Sequence, residues 1–121
     1  MIYSQKMKDT YINIVILVEG QTEETFIKEV LAPHLISFNV TTTSTIINTK
    51  IVNNGPNFKG GAVSYGKASR DLRKLLTDTS IYVTTFFDYY RSATDFPKMA
   101  EAKSGDKTIY QRIEILENAF D

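Results

Sequence analysis

The sequence predicts an α/β domain in which helices cover both faces of a mostly parallel sheet. Two short runs, at residues 11–18 and 81–87, are rich in β-branched and aromatic residues and nearly continuously apolar, which is typical of strands buried on both faces. Amphipathic helical patterns follow the first run and precede the second. With 121 residues, the chain is long enough for one core and is predicted to form a single domain, residues 1–121.

The first helix is predicted over residues 22–35, directly after the first strand. Gly20 is expected to let the backbone turn sharply, and Thr22 is expected to serve as the helix N-cap. Pro33 is expected to bend or loosen the last turn. The apolar stripe of this helix consists of Phe26, Ile27, Val30 and Leu31.

The middle of the chain predicts a weaker strand and a second helix. Residues 38–52 are rich in Thr, Ile and Val but only weakly hydrophobic, which favours an edge strand or a hairpin. A turn is predicted at residues 53–57. The second helix is predicted over residues 65–76. Its expected core-facing residues are Ala68, Leu72, Leu75 and Leu76.

The last third of the chain predicts a connector and a final helix. Residues 91–105 are interpreted as a polar connector. Thr108 and Gln111 have the spacing of a capping box, which marks the start of a helix. The apolar stripe of that helix consists of Ile109, Ile113, Leu116 and Phe120.

Both predicted buried strands end at a carboxylate. Glu19 follows the first strand and Asp88 follows the second, so parallel strands would bring both to the sheet edge where ligands bind in open α/β folds. Mg²⁺ commonly takes one or two protein carboxylates. Glu23, expected on the inward side of the first helix, is a candidate third ligand or general base. The alternative is structural: Glu19 caps the helix or pairs with a lysine, and Asp88 is a turn residue.

The segment Val-Glu-Gly-Gln-Thr-Glu at residues 18–23 resembles the opening motif of Toprim domains, the magnesium-dependent fold of topoisomerases, primases and OLD-family nucleases. Residues 18–35, 60–61 with 64–76, and 82–97 resemble a family of uncharacterised bacterial Toprim-like proteins. This resemblance implies a three-layer, Rossmann-related fold and phosphodiester hydrolysis with Mg²⁺ or Mn²⁺. Glu19, Glu23 and Asp88 would be catalytic, with Glu19 and Asp88 as the metal ligands. It also implies DNA or RNA as substrate, a role in anti-phage defence or mobile elements, and an ATPase partner.

The sequence departs from the Toprim pattern in two places. Where an Asp-x-Asp motif would put its second aspartate, Tyr90 follows Asp88 and Tyr89, so the pattern supports one metal ion and leaves a second one open. Asp95 would compensate if its loop folded back. Members of the resembled family usually continue into a further acidic C-terminal portion, so the chain is interpreted as a short homologue or the N-terminal part of a longer one.

Nucleic-acid contact would have to come from a local patch, because Lys plus Arg and Asp plus Glu both number 14. Lys67, Arg70 and Lys74 recur at helical spacing and predict a basic face, for which a merely solvated surface is the alternative. Tyr89 and Tyr90 are candidates for stacking on bases, for which packing at the sheet edge is the alternative. These features support the alternative function, a non-catalytic module that binds nucleic acid or protein.

Composition also bears on the location of the protein. The chain has no cysteine, which excludes disulfides and thiolate metal sites and is typical of a reducing compartment. No apolar run reaches membrane-spanning length. The prediction is a cytoplasmic protein without membrane contact, with self-association as an open alternative.

Overall fold

A three-stranded parallel sheet forms the centre of the structure, a computed structural model that describes residues 10–47, 64–89 and 94–120. Its strands are β1 (Ile12–Val18), β2 (Val40–Ile46) and β3 (Tyr82–Phe86), in the order β2-β1-β3. Both neighbours of β1 pair with it in parallel. The central position of β1 explains why its last three residues are buried, as the apolar run predicts.

The two edge strands differ from each other in how well the sequence predicted them. The Thr-rich β2 is an edge strand paired in parallel from Ile12↔Val40 to Val18↔Ile46, which decides against the hairpin. The prediction that β3 is buried on both faces was wrong, because Tyr82 is 67% exposed and Phe86 is 45% exposed. In the described part of the sheet β3 lies at an edge. The turn predicted at residues 53–57 lies outside the described residues.

The helical segment α1 covers residues 21–38 and extends beyond the predicted helix. It consists of an α-helical part (Gln21–Phe26), a π-helical turn (Ile27–Leu31), a second α-helical turn (Ala32–Leu35) and a 3₁₀ turn (Ile36–Phe38). The N-cap is Gly20 and not Thr22. Gly20 has φ −161°, an extended conformation open to any residue, so the turn does not depend on glycine. The π turn precedes Pro33, which donates no N–H, in line with the expected loosening.

Helix α2 (Tyr65–Leu75) and helix α4 (Ile109–Phe120) begin at side-chain caps. Ser64 is the N-cap of α2, and its hydroxyl accepts a hydrogen bond from the Lys67 N–H. The capping box predicted for α4 is confirmed: the Thr108 N–H donates to Gln111 Oε1 at 2.9 Å, and the Gln111 N–H donates to Thr108 Oγ1 at 3.2 Å. Two N–H groups that the helix itself leaves unpaired are thereby satisfied.

The polar connector predicted over residues 91–105 was wrong in part, because it contains helix α3 (Met99–Lys103). Phe96, Met99 and Ala102 are buried. Met99 and Ala102 lie three residues apart and so on one side of this short helix, and Phe96 precedes it. The pattern is too short to stand out among the surrounding charged residues.

The sheet lies between two helical layers, which confirms the predicted three-layer α/β class. On one face, Ile16 and Val18 pack against Ile27 of α1. On the other, Leu17 packs in a cluster with Ala68 of α2 and Met99 of α3. Burial of a Leu side chain such as Leu17 stabilises the fold by about 1.5–3 kcal/mol. Partly buried residues complete this second core: Tyr65, Leu72, Leu75, Phe87, Leu116 and Phe120.

One of the four residues predicted to face the core from the second helix is exposed instead. Leu76, which comes one residue after the end of the helix, is 62% exposed. None of the described helices combines the length and apolar composition needed to cross a bilayer.

Candidate functional site

The carboxyl edge of the sheet brings Glu19 and Asp88 together. β1 and β3 end at the paired residues Val18 and Phe86, so the residues that follow them emerge side by side. The backbone N–H of Asp88 donates a hydrogen bond to Glu19 Oε1 at 2.9 Å. Glu19 is half-buried and Asp88 is exposed. Glu19 and Asp88 therefore lie together at this edge of the sheet, as their positions after the two strands predicted.

Glu23 lies over the turn that joins β1 to α1. Its Oε2 atom is 3.7 Å from the position that a Cβ on Gly20 would occupy, which places the Glu23 carboxylate beside the residue that follows Glu19. Glu23 is half-buried, and its place in the first turn of α1 is favourable for a negative charge. The inward orientation predicted for Glu23 agrees with this position.

Asp95 is engaged at the start of α2. Its two carboxylate oxygens accept the Tyr65 N–H at 3.1 and 3.0 Å. Tyr65 is the first residue of α2, so this carboxylate satisfies a helix-terminal N–H and stabilises the positive end of the helix dipole. The structure therefore gives Asp95 a capping role.

The metal-binding capacity of this edge is limited. Among the residues that the structure describes, no group of three or more His, Cys, Asp or Glu side chains is placed to hold a metal ion. Glu19 and Asp88 remain a candidate pair of carboxylate ligands, a number that Mg²⁺ accepts when water supplies its other ligands.

The predicted basic face on α2 is present at the surface. Lys67, Arg70 and Lys74 are all exposed. Arg70 Nε lies 3.5 Å from Asp71 Oδ1, so part of the positive charge of this face is compensated within the helix. Of the two predicted stacking residues, Tyr89 is half-buried and Tyr90 lies outside the described residues.

Comparison with known proteins decides the family. Residues 18–121 match the model of a protein family described as Domain of unknown function (DUF4276). The chain belongs to the DUF4276 family. No curated protein and no solved structure matches the chain. The family description names no function, so the activity of this DUF4276 chain has to be argued from its own residues.

The DUF4276 chain has a groove of about 370 Å³ that the sequence analysis missed, here called the basic groove. Its lining residues are Tyr89, Lys103, Lys107, Ile109 and Arg112. The available signal was the recurrence of cations at residues 98, 103, 107 and 112. That signal was missed because α3 was not predicted, and without α3 and α4 these cations do not share a surface.

A second and larger cavity adjoins the basic groove. It has a volume of about 570 Å³ and lies between β3 with the residues that follow it and helix α4. Asp88 is part of its lining, and so are Tyr89 and Ile109, which also line the basic groove. The candidate carboxylate site and the basic groove are therefore connected through shared wall residues.

Proposed function

We propose that this chain is a Mg²⁺-dependent nuclease domain of Toprim type, which hydrolyses phosphodiester bonds of DNA or RNA. The observation that supports this proposal best is the hydrogen bond from the Asp88 N–H to Glu19 Oε1 at 2.9 Å. This bond holds the two acidic residues that follow paired strands at one edge of the sheet. Acidic residues in that position are suited to metal-assisted chemistry on a phosphate.

The carboxylates fit one Mg²⁺ or Mn²⁺ ion. Both side chains offer hard oxygen ligands. The Glu19 carboxylate accepts the Asp88 N–H through Oε1, one of its two oxygens. Glu19 and Asp88 would hold the ion, with water as the remaining ligands. When bound, the ion would supply charge stabilisation to the phosphoryl oxygens and lower the pKa of a nearby water.

Glu23 is the general base of this proposal. Its carboxylate lies over the turn next to Glu19 and is half-buried, within the same end of the sheet as the proposed ligands. In hydrolysis it would take the proton of the attacking water as the new P–O bond forms and the P–O bond to the leaving sugar oxygen breaks. Solvent water would supply the proton that the leaving oxygen takes up. The Tyr that replaces the second aspartate of the Toprim pattern restricts the proposal to a single metal ion.

A cytoplasmic location and an ATPase partner belong to the same proposal. The location is supported by the absence of cysteine from the sequence. The partner and the role in anti-phage defence are supported by the resemblance to Toprim proteins. Co-purification of the chain with an ATPase from its native host would test the partner.

A non-catalytic binding module is the second candidate function. It is favoured by the absence, within the described residues, of a group of three metal-binding side chains. In this case the exposed face of Lys67, Arg70 and Lys74 would bind nucleic acid by phosphate neutralisation. Salt-sensitive binding that persists in chelator and is lost on neutralisation of Arg70 and Lys74 would support this function.

The first test of the nuclease proposal is a calorimetric titration with Mn²⁺ and Mg²⁺. The chain is expected to bind the ions, and Glu19→Gln and Asp88→Asn are each expected to abolish binding. Glu29→Gln is the matched control, because Glu29 is an exposed carboxylate of α1 outside the site. Binding that survives both site substitutions would overturn the assignment of the metal ligands.

The second test is cleavage of single-stranded and duplex DNA and RNA with Mg²⁺ present. Cleavage is expected to stop in Glu19→Gln and in chelator, and to continue in Glu29→Gln. Replacement of Glu23 by Gln is expected to lower the turnover rate by about 10²–10⁴-fold, the usual contribution of a general base, while metal binding remains. Cleavage that Glu19→Gln does not change would refute the nuclease proposal.

A further inference from the structure

The basic groove concentrates positive charge in a protein whose formal net charge is zero. Lys103 is exposed, and Lys107 and Arg112 are half-buried. Among the described residues, no carboxylate lies within 4.0 Å of any of the three cations, in contrast to Arg70, which pairs with Asp71. Three uncompensated cations around one concave surface create a local positive potential that favours an anionic ligand.

Lys107 is held by hydrogen bonds at the end of α3. Lys107 Nζ donates to Glu101 O at 3.1 Å, to Ser104 O at 2.5 Å and to Ser104 Oγ at 3.2 Å, so all three of its donors are used. Lys107 therefore closes the end of α3 and contributes charge without a free N–H.

Arg112 is held in place and still has donors to offer. Its Nε donates to Lys107 O at 3.2 Å and its Nη2 to Gly105 O at 3.3 Å. A guanidinium has five N–H donors, so about three remain for a ligand. Since two backbone carbonyls fix its orientation, little side-chain entropy is lost on binding. Arginine geometry matches two oxygens of a phosphate at once.

Lys103 has no structural partner in the described part of the chain. It makes no hydrogen bond or ion pair with another described residue. A role confined to holding the loop at residues 104–108 explains Lys107 and the two bonds of Arg112, but it leaves Lys103 unexplained.

The position of the groove connects it to the carboxylates. Tyr89 lines the groove and directly follows Asp88 in the chain, about 3.8 Å away between Cα atoms. A polyanion that approaches Glu19 and Asp88 is repelled by their charges unless cations nearby offset them. The basic groove provides such cations next to Tyr89 and Ile109, the residues that it shares with the cavity lined by Asp88.

We propose that the basic groove binds a backbone phosphate of a nucleic-acid strand and thereby holds the strand beside Glu19 and Asp88. This inference rests on the proposed function for the role of the bound strand but not for the binding itself. Arg112 and Lys103 donate to the phosphate, Lys107 adds charge, and the Tyr89 ring offers a surface on which a base stacks.

The test is fluorescence anisotropy of a labelled oligothymidylate in EDTA, over a series of salt concentrations. In chelator neither metal binding nor cleavage contributes to the signal. Neutralising one phosphate-binding cation makes the slope of log K against log salt shallower by about 0.7 for a single strand. Lys103→Gln is therefore expected to reduce the slope by about 0.7, and Lys103→Gln with Arg112→Gln by about 1.4.

Matched controls separate the groove from general charge effects. Lys28→Gln removes one exposed cation from α1, on the other face of the sheet, and is expected to leave the slope unchanged. Arg112→Lys keeps the charge but removes the planar fork and is expected to weaken binding. Because Arg112→Gln also removes two hydrogen bonds to the loop, Lys103→Gln alone is the deciding variant.

Three results would overturn the proposal. These are an unchanged slope in Lys103→Gln, an equal loss in Lys28→Gln, and a loss confined to a Lys67→Gln and Lys74→Gln double variant. Displacement of the oligonucleotide by an equimolar amount of thymidine monophosphate would show that the groove binds a mononucleotide and not a strand.

The groove and the nuclease proposal fail separately. Groove-dependent binding in EDTA together with no Mn²⁺ binding would refute the nuclease function and leave the groove. Mn²⁺ binding that Glu19→Gln abolishes, together with an unchanged salt slope in Lys103→Gln, would refute the groove proposal and leave the assignment of Glu19 as a metal ligand.

Discussion

Replacement of Glu19 by two different residues separates its structural role from its proposed metal-binding role. In the structure Glu19 Oε1 accepts the Asp88 N–H at 2.9 Å and thereby ties the end of β1 to the end of β3. Glu19→Gln keeps an oxygen acceptor at the same reach and removes the charge. Glu19→Ala removes both. The difference in stability between the two variants measures the contribution of the hydrogen bond. The effect that both variants show measures the contribution of the charge.

The size of the effect follows from the exposure of the pair. A hydrogen bond to a charged group contributes about 1.5–3 kcal/mol when it is well shielded. Glu19 is half-buried and Asp88 is exposed, so solvent reduces that contribution to about 1 kcal/mol. With an unfolding entropy of about 2.1 cal/mol/K per residue, a change of about 1 kcal/mol shifts the Tm of a chain of this length by about 4 °C.

Thermal and urea unfolding in EDTA are the assays, because chelation removes any stabilisation by bound metal. Glu19→Ala is expected to lower the Tm by about 4 °C, and Glu19→Gln by less than half of that. In a second series without EDTA, Mn²⁺ is expected to raise the Tm of the wild-type chain and of neither variant, since a ligand that binds only the folded state stabilises it. A Glu19→Gln variant that loses as much stability as Glu19→Ala would refute the acceptor role. A variant that Mn²⁺ still stabilises would refute the metal role.

Three further predictions concern other residues. Asp95→Ala is expected to destabilise the fold by about 1 kcal/mol, because the first N–H of α2, that of Tyr65, loses its acceptor; Asp95→Asn is the control in urea unfolding, and an equal loss in both would argue against the cap. Thr42→Val is expected to stabilise the fold by about 1 kcal/mol, because Thr42 Oγ1 is buried and has no hydrogen-bond partner in the described structure; destabilisation in the same assay would show that this hydroxyl is bonded. The pKa of Asp78 lies below its ordinary value because the hydroxyl and N–H of Ser80 donate to its carboxylate. Its small contribution to stability is therefore present above the unfolded-state pKa and is lost as the pH falls through the folded-state pKa. Ser80→Ala is expected to raise the pKa of Asp78 in an NMR titration, and an unchanged pKa would contradict this cause.

The sequence predicted the layers and the acidic edge because both follow from local patterns. The apolar run of β1 predicted a strand buried on both faces, which holds for its last three residues, and the stripes of α1, α2 and α4 each required a partner surface. Glu19 and Asp88 were predicted as neighbours on the single assumption that their strands run parallel. The capping box of Thr108 and Gln111 is likewise a signal contained within four residues.

Other features depended on contacts between segments far apart in the chain. The exposure of Phe86 follows from the edge position of β3, which strand order decides and composition does not. Asp95 finds its partner at Tyr65, thirty residues earlier in the chain, a pairing that no local rule predicts.

The sequence by itself determined which acidic residues lie at the strand ends, because strand, turn and helix signals act over a few neighbouring positions. The tertiary structure decided which of the charged residues share a surface. The basic groove exists only because α3 and α4 pack beside Tyr89 and bring Lys103, Lys107 and Arg112 around one concavity. Such convergence depends on how the helices pack against the sheet, and helix packing is decided by long-range burial, which the order of residues along the chain does not display.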